Sequence, residues 1–202
     1  MRSCLLCVLL LSTSCASVAP FAAPQNPTPE PRLSKVDVYV GLRDLRGNEW
    51  DPVQDQAVIG LEYVREDPTD PMGFELGLFG SRKTKDNVQI GGSFFDVRGQ
   101  TTEFSVGVRK TFWTESGSIY PYIGLGLSAI RAQVRRESGG VSSDDSDSTA
   151  GLYAHGGFAV PIGPSLTLGL DLRVLGGTKV QLFGQDGNAD YAQLALVLGA
   201  RF

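Results

Sequence analysis

The sequence predicts an all-β fold: an eight-stranded antiparallel up-and-down transmembrane β-barrel with a polar, plugged interior. Three observations carry this reading. Eight segments, each about ten residues long, alternate apolar and polar side chains with period two. Short and long connections alternate between them. One face of every segment is almost free of charge, while the other collects acids, bases and glycines.

The first segment, Val36 to Leu45, places Val36, Val38, Val40 and Leu42 on one face. Ala57 to Arg65 repeats the pattern with Ile59, Leu61 and Tyr63, and Met72 to Arg82 with Phe74, Leu76 and Leu78. Gly99 to Phe112 contributes Phe104, Val106 and Val108, and Tyr120 to Ile130 contributes Ile123, Leu125, Leu127 and Ala129. Leu152 to Val160 and Leu166 to Leu175 follow, the latter with a leucine at every second position from Leu166 to Leu172. The last, Ala189 to Phe202, alternates through Leu194, Leu196, Leu198, Ala200 and Phe202. No segment has a proline in its middle, where the missing N–H would break a ladder. The connections Glu66–Pro71, Trp113–Ile119 and Pro161–Ser165 are short; Arg46–Gln56, Lys83–Arg98, Arg131–Gly151 and Gly176–Asn188 are long and polar. With an even strand number, both termini and every short turn share one end.

Charge decides which face meets lipid. The polar face carries Asp37, Glu62, Glu75, Glu103, Arg109, His155, Asp171, Arg173 and Arg201, with a glycine in every strand. A barrel of eight strands has room inside for long charged groups only beside small neighbours, and the glycines make that room. In a water-soluble barrel the same glycines would lie on the solvent face, where they only weaken a sheet. Tyr63, Phe74, Phe112, Trp113, Tyr120, Phe158 and Phe202 cluster at the short-turn rim, the place of an aromatic interfacial girdle.

The ends set the compartment. Residues 1–19, "MRSCLLCVLLLSTSCASVA", read as a signal peptide: one positive charge at Arg2, an apolar run from Leu5 to Leu11, then small residues. Cys4, Cys7 and Cys15, all the cysteines, lie inside it, so the exported fold stands without disulfides. Cys15 matches a lipoprotein signal only loosely, because Ser12 takes the place of the usual leucine. Residues 20–34 hold five of the eleven prolines and read as an extended linker, leaving 35–202 for the barrel. The formal charge of −4 lacks the basic stripe a nucleic-acid partner demands.

These features together resemble the small bacterial outer-membrane β-barrels, including the opacity-protein and outer-membrane-protein-A-like families. The resemblance covers Lys35 to Phe202. It implies an outer-membrane location with both termini periplasmic, and contact with outer-membrane lipid and lipopolysaccharide. It also implies recognition by the barrel-assembly machinery of Leu194, Leu196, Leu198, Ala200 and Phe202. Lipid A deacylases, another such family, use a histidine with a serine two residues later. Here the single histidine stands in "YAHGGF", with Gly157 in the serine position.

Turn arithmetic gives expected interior pairs. A turn centred on Gly163 sets His155 opposite Asp171, and Glu62 faces Glu75 with Arg109 as their cation. Arg109 lies across from Gly124, and Asp37 pairs with Arg201 where the first and last strands close the barrel. Asp144, Asp145 and Asp147 read as a solvated acidic loop, since the stretch lacks the turn glycine and terminal glutamate of a calcium loop. Phe95 and Val97, before the fourth segment, and Ile130, Ala132 and Val134, at and beyond the end of the fifth, break the parity of their strands. A bulge in each is expected there. The function expected is structural or adhesin-like, through an extracellular ligand held by the long loops, in a monomer without catalytic residues, metal or cofactor. A narrow pore, a lipid-modifying enzyme and a soluble ligand-binding barrel are the alternatives.

Overall fold

The computed structural model describes residues 33–47, 50–67, 70–90, 92–114 and 118–202. The leader expected at 1–19 and most of the linker expected at 20–34 lie outside the described residues; the first strand opens at Leu33, within the last two linker residues. Among the described residues ten strands follow: β1 (Leu33–Leu45), β2 (Asp55–Glu66), β3 (Gly73–Ile90), β4 (Ser93–Thr111), β5 (Tyr120–Ser138), β6 (Val141–Pro161), β7 (Leu166–Gly176), β8 (Val180–Leu182), β9 (Gln185–Gly187) and β10 (Tyr191–Arg201). Eight of them close an antiparallel barrel in the order β1-β10-β7-β6-β5-β4-β3-β2, and β8 and β9 form a separate hairpin.

The apolar face points outward. Leu42, Ile59, Leu78, Leu125, Leu152, Leu172 and Leu196 are exposed on the barrel wall, while Asp37, Glu62, Glu103 and Arg43 on the opposite parity are buried. Since the strand period is two, one register choice sends all the alternating apolar residues of a strand to the same side. β1, β2, β7 and β10 have 13, 12, 11 and 11 residues, close to the roughly 9–11 that a tilted strand needs to cross a bilayer.

β3, β4, β5 and β6 are much longer, at 18, 19, 19 and 21 residues. The connections expected as loops at 83–98 and 131–151 are therefore mostly paired strand, turning at Gly92 and at Gly139–Gly140, all glycines with positive φ. Outside lipid both faces of a strand can be polar, so alternation fades while pairing continues. The expected bulges in β4 and β5 are absent: their register runs unbroken from Asp96↔Glu137 to Thr111↔Tyr122. An irregularity lies instead between Lys85 and Val88 of β3, beside Asn87 at φ 57.

Parity is not broken; the inward face changes character. Val97, Ile130, Ala132 and Val134 point inward and join Trp50, Val53, Leu175, Val180, Leu182 and Ala189 in a buried apolar cluster. The connections before β2 and before β10 fold over this mouth, where Trp50 Nε1 donates to the Asn188 carbonyl at 2.8 Å. Asp144, Asp145 and Asp147, expected in a solvated loop, belong to β6. Asp147 accepts the Gln181 backbone N–H at 2.8 Å, and Asp145 accepts that of Phe183, so the β8–β9 hairpin hangs on the free edge of β6.

Candidate functional site

The barrel interior below the apolar mouth is filled by charge. Among the described residues, Asp37, Glu62, Glu75, Glu103 and Asp171 face Arg43, Arg109, Arg173, the half-buried Lys35 and the His155 ring. Near the short-turn end, Asp37 Oδ2 meets Lys35 Nζ at 2.7 Å and Arg109 Nη1 at 3.3 Å. Arg109 Nη1 also reaches Glu62 Oε1 at 3.4 Å, and Tyr39 donates to the same oxygen at 2.8 Å. His155 spans two carboxylates: Nδ1 lies 2.9 Å from Asp171 Oδ2, and Nε2 lies 3.1 Å from both oxygens of Glu75.

A second group sits higher. Arg43 donates to Glu103 Oε2 at 2.8 Å, to Gln193 Oε1 and to Thr101 Oγ1. Arg173 joins the groups, reaching Glu103 Oε1 at 3.2 Å and Glu62 Oε2 at 3.5 Å.

Among the described residues one arrangement occurs three times. Each buried guanidinium lies over a tyrosine ring, and that tyrosine's hydroxyl donates to a carboxylate. Arg109 is 3.5 Å above Tyr122, which bonds Asp171; Arg173 is 3.8 Å above Tyr153, which bonds Glu75; Arg43 is 3.8 Å above Tyr191, which bonds Glu103. A weakly hydrated planar cation suits such a dry aromatic face. The inward glycines leave the space: a Cβ at Gly124 would collide with the His155 ring, and one at Gly107 with the Tyr153 hydroxyl.

Several expected pairs are altered. His155 does contact Asp171, but its cross-strand neighbour is Arg173, while Asp171 stands opposite Gly157. Glu62 is likewise opposite Gly77 rather than Glu75. Both registers differ by two from the expectation because their centres lie one residue further along the chain; in the β6–β7 connection Ile162 N–H donates to the Leu166 carbonyl, centring the turn on Pro164 rather than Gly163. Arg109 is opposite Gly124 and serves Glu62, while Glu75 takes His155 instead. Asp37 does not pair with Arg201. The register sets Lys35 against Arg201 and Asp37 against Gly199, and half-buried Arg201 stays at the rim, with Cζ 4.9 Å from the Tyr120 ring centre and 5.6 Å from that of Trp113.

Arg43, Gln193 and the interior tyrosines Tyr39, Tyr122, Tyr153 and Tyr191 were not among the expected site residues. Parity marks them as inward but not as partners of the charges, since positions 37, 39 and 43 merely share one face of β1. Glu62, Glu75 and His155 each bring one potential ligand atom within 4.8 Å of the others, but the contacts of His155 with Glu75 already occupy that space. Leu194, Leu196, Leu198, Ala200 and Phe202 are exposed on the outer wall or rim.

A closed barrel with a lipid-compatible outer wall and charge within defines an integral protein of the bacterial outer-membrane type. Comparison with known sequences and structures agrees. The chain belongs to the outer membrane protein β-barrel domain family, whose model matches residues 8–202. No curated protein matches the sequence. Among solved structures, Ail, the attachment invasion locus protein of Yersinia pestis, solved in complex with the heparin analogue sucrose octasulfate, is 15% identical, with a TM-score of 0.57 over 85% of this chain and 99% of that one. A major outer membrane protein from Thermus thermophilus is also 15% identical, with a TM-score of 0.60 over 86% and 100%. These likenesses are of fold.

Proposed function

We propose that the protein is a non-enzymatic, monomeric surface protein, whose barrel anchors a projecting sheet that meets an extracellular partner. The observation that carries this is the difference in strand length. β3 to β6 outrun β1, β2, β7 and β10, so eight residues of β3, from Lys83 to Ile90, continue past its last pair with β2, roughly 25 Å of strand at the usual rise. Strand of that length has no role in crossing lipid. In this reading the long hairpins face the exterior, both termini lie in the periplasm, and residues 1–19 direct export. The alternation from Leu194 to Phe202 is the element the assembly machinery reads.

A structural role for the interior fits its filling: a closed salt-bridge network under an apolar cap leaves little path for solute. His155 has both ring nitrogens committed to carboxylates, which favours a structural histidine over a catalytic one. The Ail complex with sucrose octasulfate offers support that a barrel of this fold can hold a ligand. Replacing 86–94 and 138–142 by short Gly-Ser turns tests the proposal. The trimmed protein is expected to keep its heat-modifiable migration and to lose adhesion to host cells or matrix; unchanged adhesion would refute the role of the projecting sheet.

A further inference from the structure

We propose that the inner side of the projecting sheet carries a cleft for a protein partner, one that takes a peptide stretch with a carboxylate beside an aromatic side chain. Phe95 on β4, Arg136 and Ser138 on β5, Val141 and Ser143 on β6 and Phe183 at the tip of the β8–β9 hairpin line a hollow of about 260 Å³. The cleft names the kind of partner that the adhesive reading above calls for, and rests on that reading for its access to the exterior.

The hairpin tip is built against its own preference. Phe183 and Gly184 join Leu182 to Gln185, which face each other across the hairpin, and both have positive φ, 51° and 73°. Two such residues make the turn type that favours Asn-Gly, and a bulky aromatic in its first place is strained. Strain of this kind persists where surrounding contacts hold it, and it gathers at ligand clamps. Here Asp145 accepts the Phe183 N–H, and the Arg136 guanidinium lies over the ring, with Cζ 4.2 Å from the ring centre. The ring remains half-buried and forms one wall of the cleft.

Arg136 supplies the charge. It follows Ile130, Ala132 and Val134 on the inward parity of β5, one step above the apolar cap those residues join, and stands opposite Val97 and Ser143. Its neighbour Arg135 is matched by Asp144 at 3.6 Å and Glu137 at 3.7 Å. Asp145 has one oxygen on the Phe183 N–H and the other on the Ser146 N–H at 2.9 Å. Among the described residues no carboxylate pairs with Arg136, and its buried Nε has no hydrogen-bond partner. The phenyl ring covers one face of the guanidinium and leaves its edge, where a carboxylate makes a two-point, charge-assisted contact.

The surroundings choose a peptide over a polyanionic glycan. One unpaired cation meets one carboxylate, whereas a sulfated chain needs a row of cations. Glu137, Asp144 and Asp145, on the adjoining residues of β5 and β6, oppose such a chain. Phe95, Phe183 and Val141, the last 75% exposed, give the ring of a neighbouring residue apolar walls. The hollow is smaller than the roughly 300–1,000 Å³ that holds a whole small ligand, and so suits one or two side chains of a longer segment.

The test titrates isotope-labelled, refolded protein in lipid nanodiscs with an end-blocked peptide, Gly-Ser-Glu-Phe-Ser-Gly, and follows amide shifts by NMR. Saturable shifts at Ser138, Ser143 and Gly184 are expected, with a dissociation constant in roughly the millimolar range. Peptides with Gln for Glu or Gly for Phe should bind wild type roughly tenfold more weakly, and so should the original peptide bind R136Q. R136K keeps the charge without the flat two-point contact and should fall between. F183N supplies the residue the turn prefers, so it should keep the hairpin and lose affinity; heat-modifiable migration confirms folding of each variant, and if F183N misfolds R136Q decides alone. Equal binding by R136Q, or of the Gln peptide by wild type, overturns the site. A heparin oligosaccharide that binds wild type where the peptide does not, and binds R136Q less, overturns it in favour of a glycan. Nanodiscs are open on both sides, so peptide binding does not depend on orientation in a cell. Binding that persists while trimming the hairpins leaves adhesion unchanged refutes the adhesive reading alone; adhesion lost on trimming, with no peptide binding, overturns the cleft alone.

Discussion

His155 is gripped on both sides, by Asp171 through Nδ1 and by Glu75 through Nε2. H155A leaves two buried carboxylates facing a void, and loss of one partner from such a buried set costs about 3–5 kcal/mol. The urea midpoint of the refolded barrel should fall accordingly, while the membrane lipid profile of expressing cells stays unchanged; an altered lipid profile would revive an enzymatic reading. Y122F keeps the ring beneath Arg109 but removes the hydroxyl bonded to Asp171, and should cost about 1.5–3 kcal/mol, less than loss of His155. The interior acids were legible in the sequence because charge on one parity of a strand stands out. The tyrosines were not, since a tyrosine on a strand reads equally as girdle, core or surface. Their role emerges once three dimensions place Tyr122, Tyr153 and Tyr191 each under a guanidinium.

Between strands, legibility ended where alternation ended. The eight crossings were readable because lipid outside and charge inside impose opposite demands on successive residues. Lys83 to Ile90 and Val141 to Gly151 face polar surroundings, and their pairing leaves no such mark. Register at β2–β3 and β6–β7 differs by two from the one the sequence predicts, because it depends on turn geometry that a stretch such as Pro161–Ser165 does not declare. Asp145 and Asp147 stand in a sequence that predicts a solvated loop, yet they hold the β8–β9 hairpin by its backbone. D145A/D147A should free that hairpin, so limited trypsin treatment should cut after Lys179 several-fold faster than in wild type, with heat-modifiable migration retained. Unchanged cleavage would mean that the backbone contacts are dispensable.

For the whole molecule, topology makes two further expectations measurable. A cysteine at Gly140, in the β5–β6 turn, should react with a membrane-impermeant maleimide on intact cells, and one at Gly163, in a short turn at the opposite end, should not. The reverse pattern would invert the barrel. Reconstituted in planar bilayers, the protein should show no steady conductance, because Arg43, Arg109 and Arg173 bridge acids across its bore and Trp50 closes the mouth. Stable single-channel steps would favour the pore.

The unequal rise of the strands also has a lateral meaning. A cylinder presents the same aspect from every compass bearing, but here a wall of four strands stands along one arc while β1, β2, β7 and β10 stop low. Anything settling onto the molecule meets a backstop on that arc and an open approach on the other. Barrels free to spin in the membrane plane would therefore be turned to a common heading by whatever they hold.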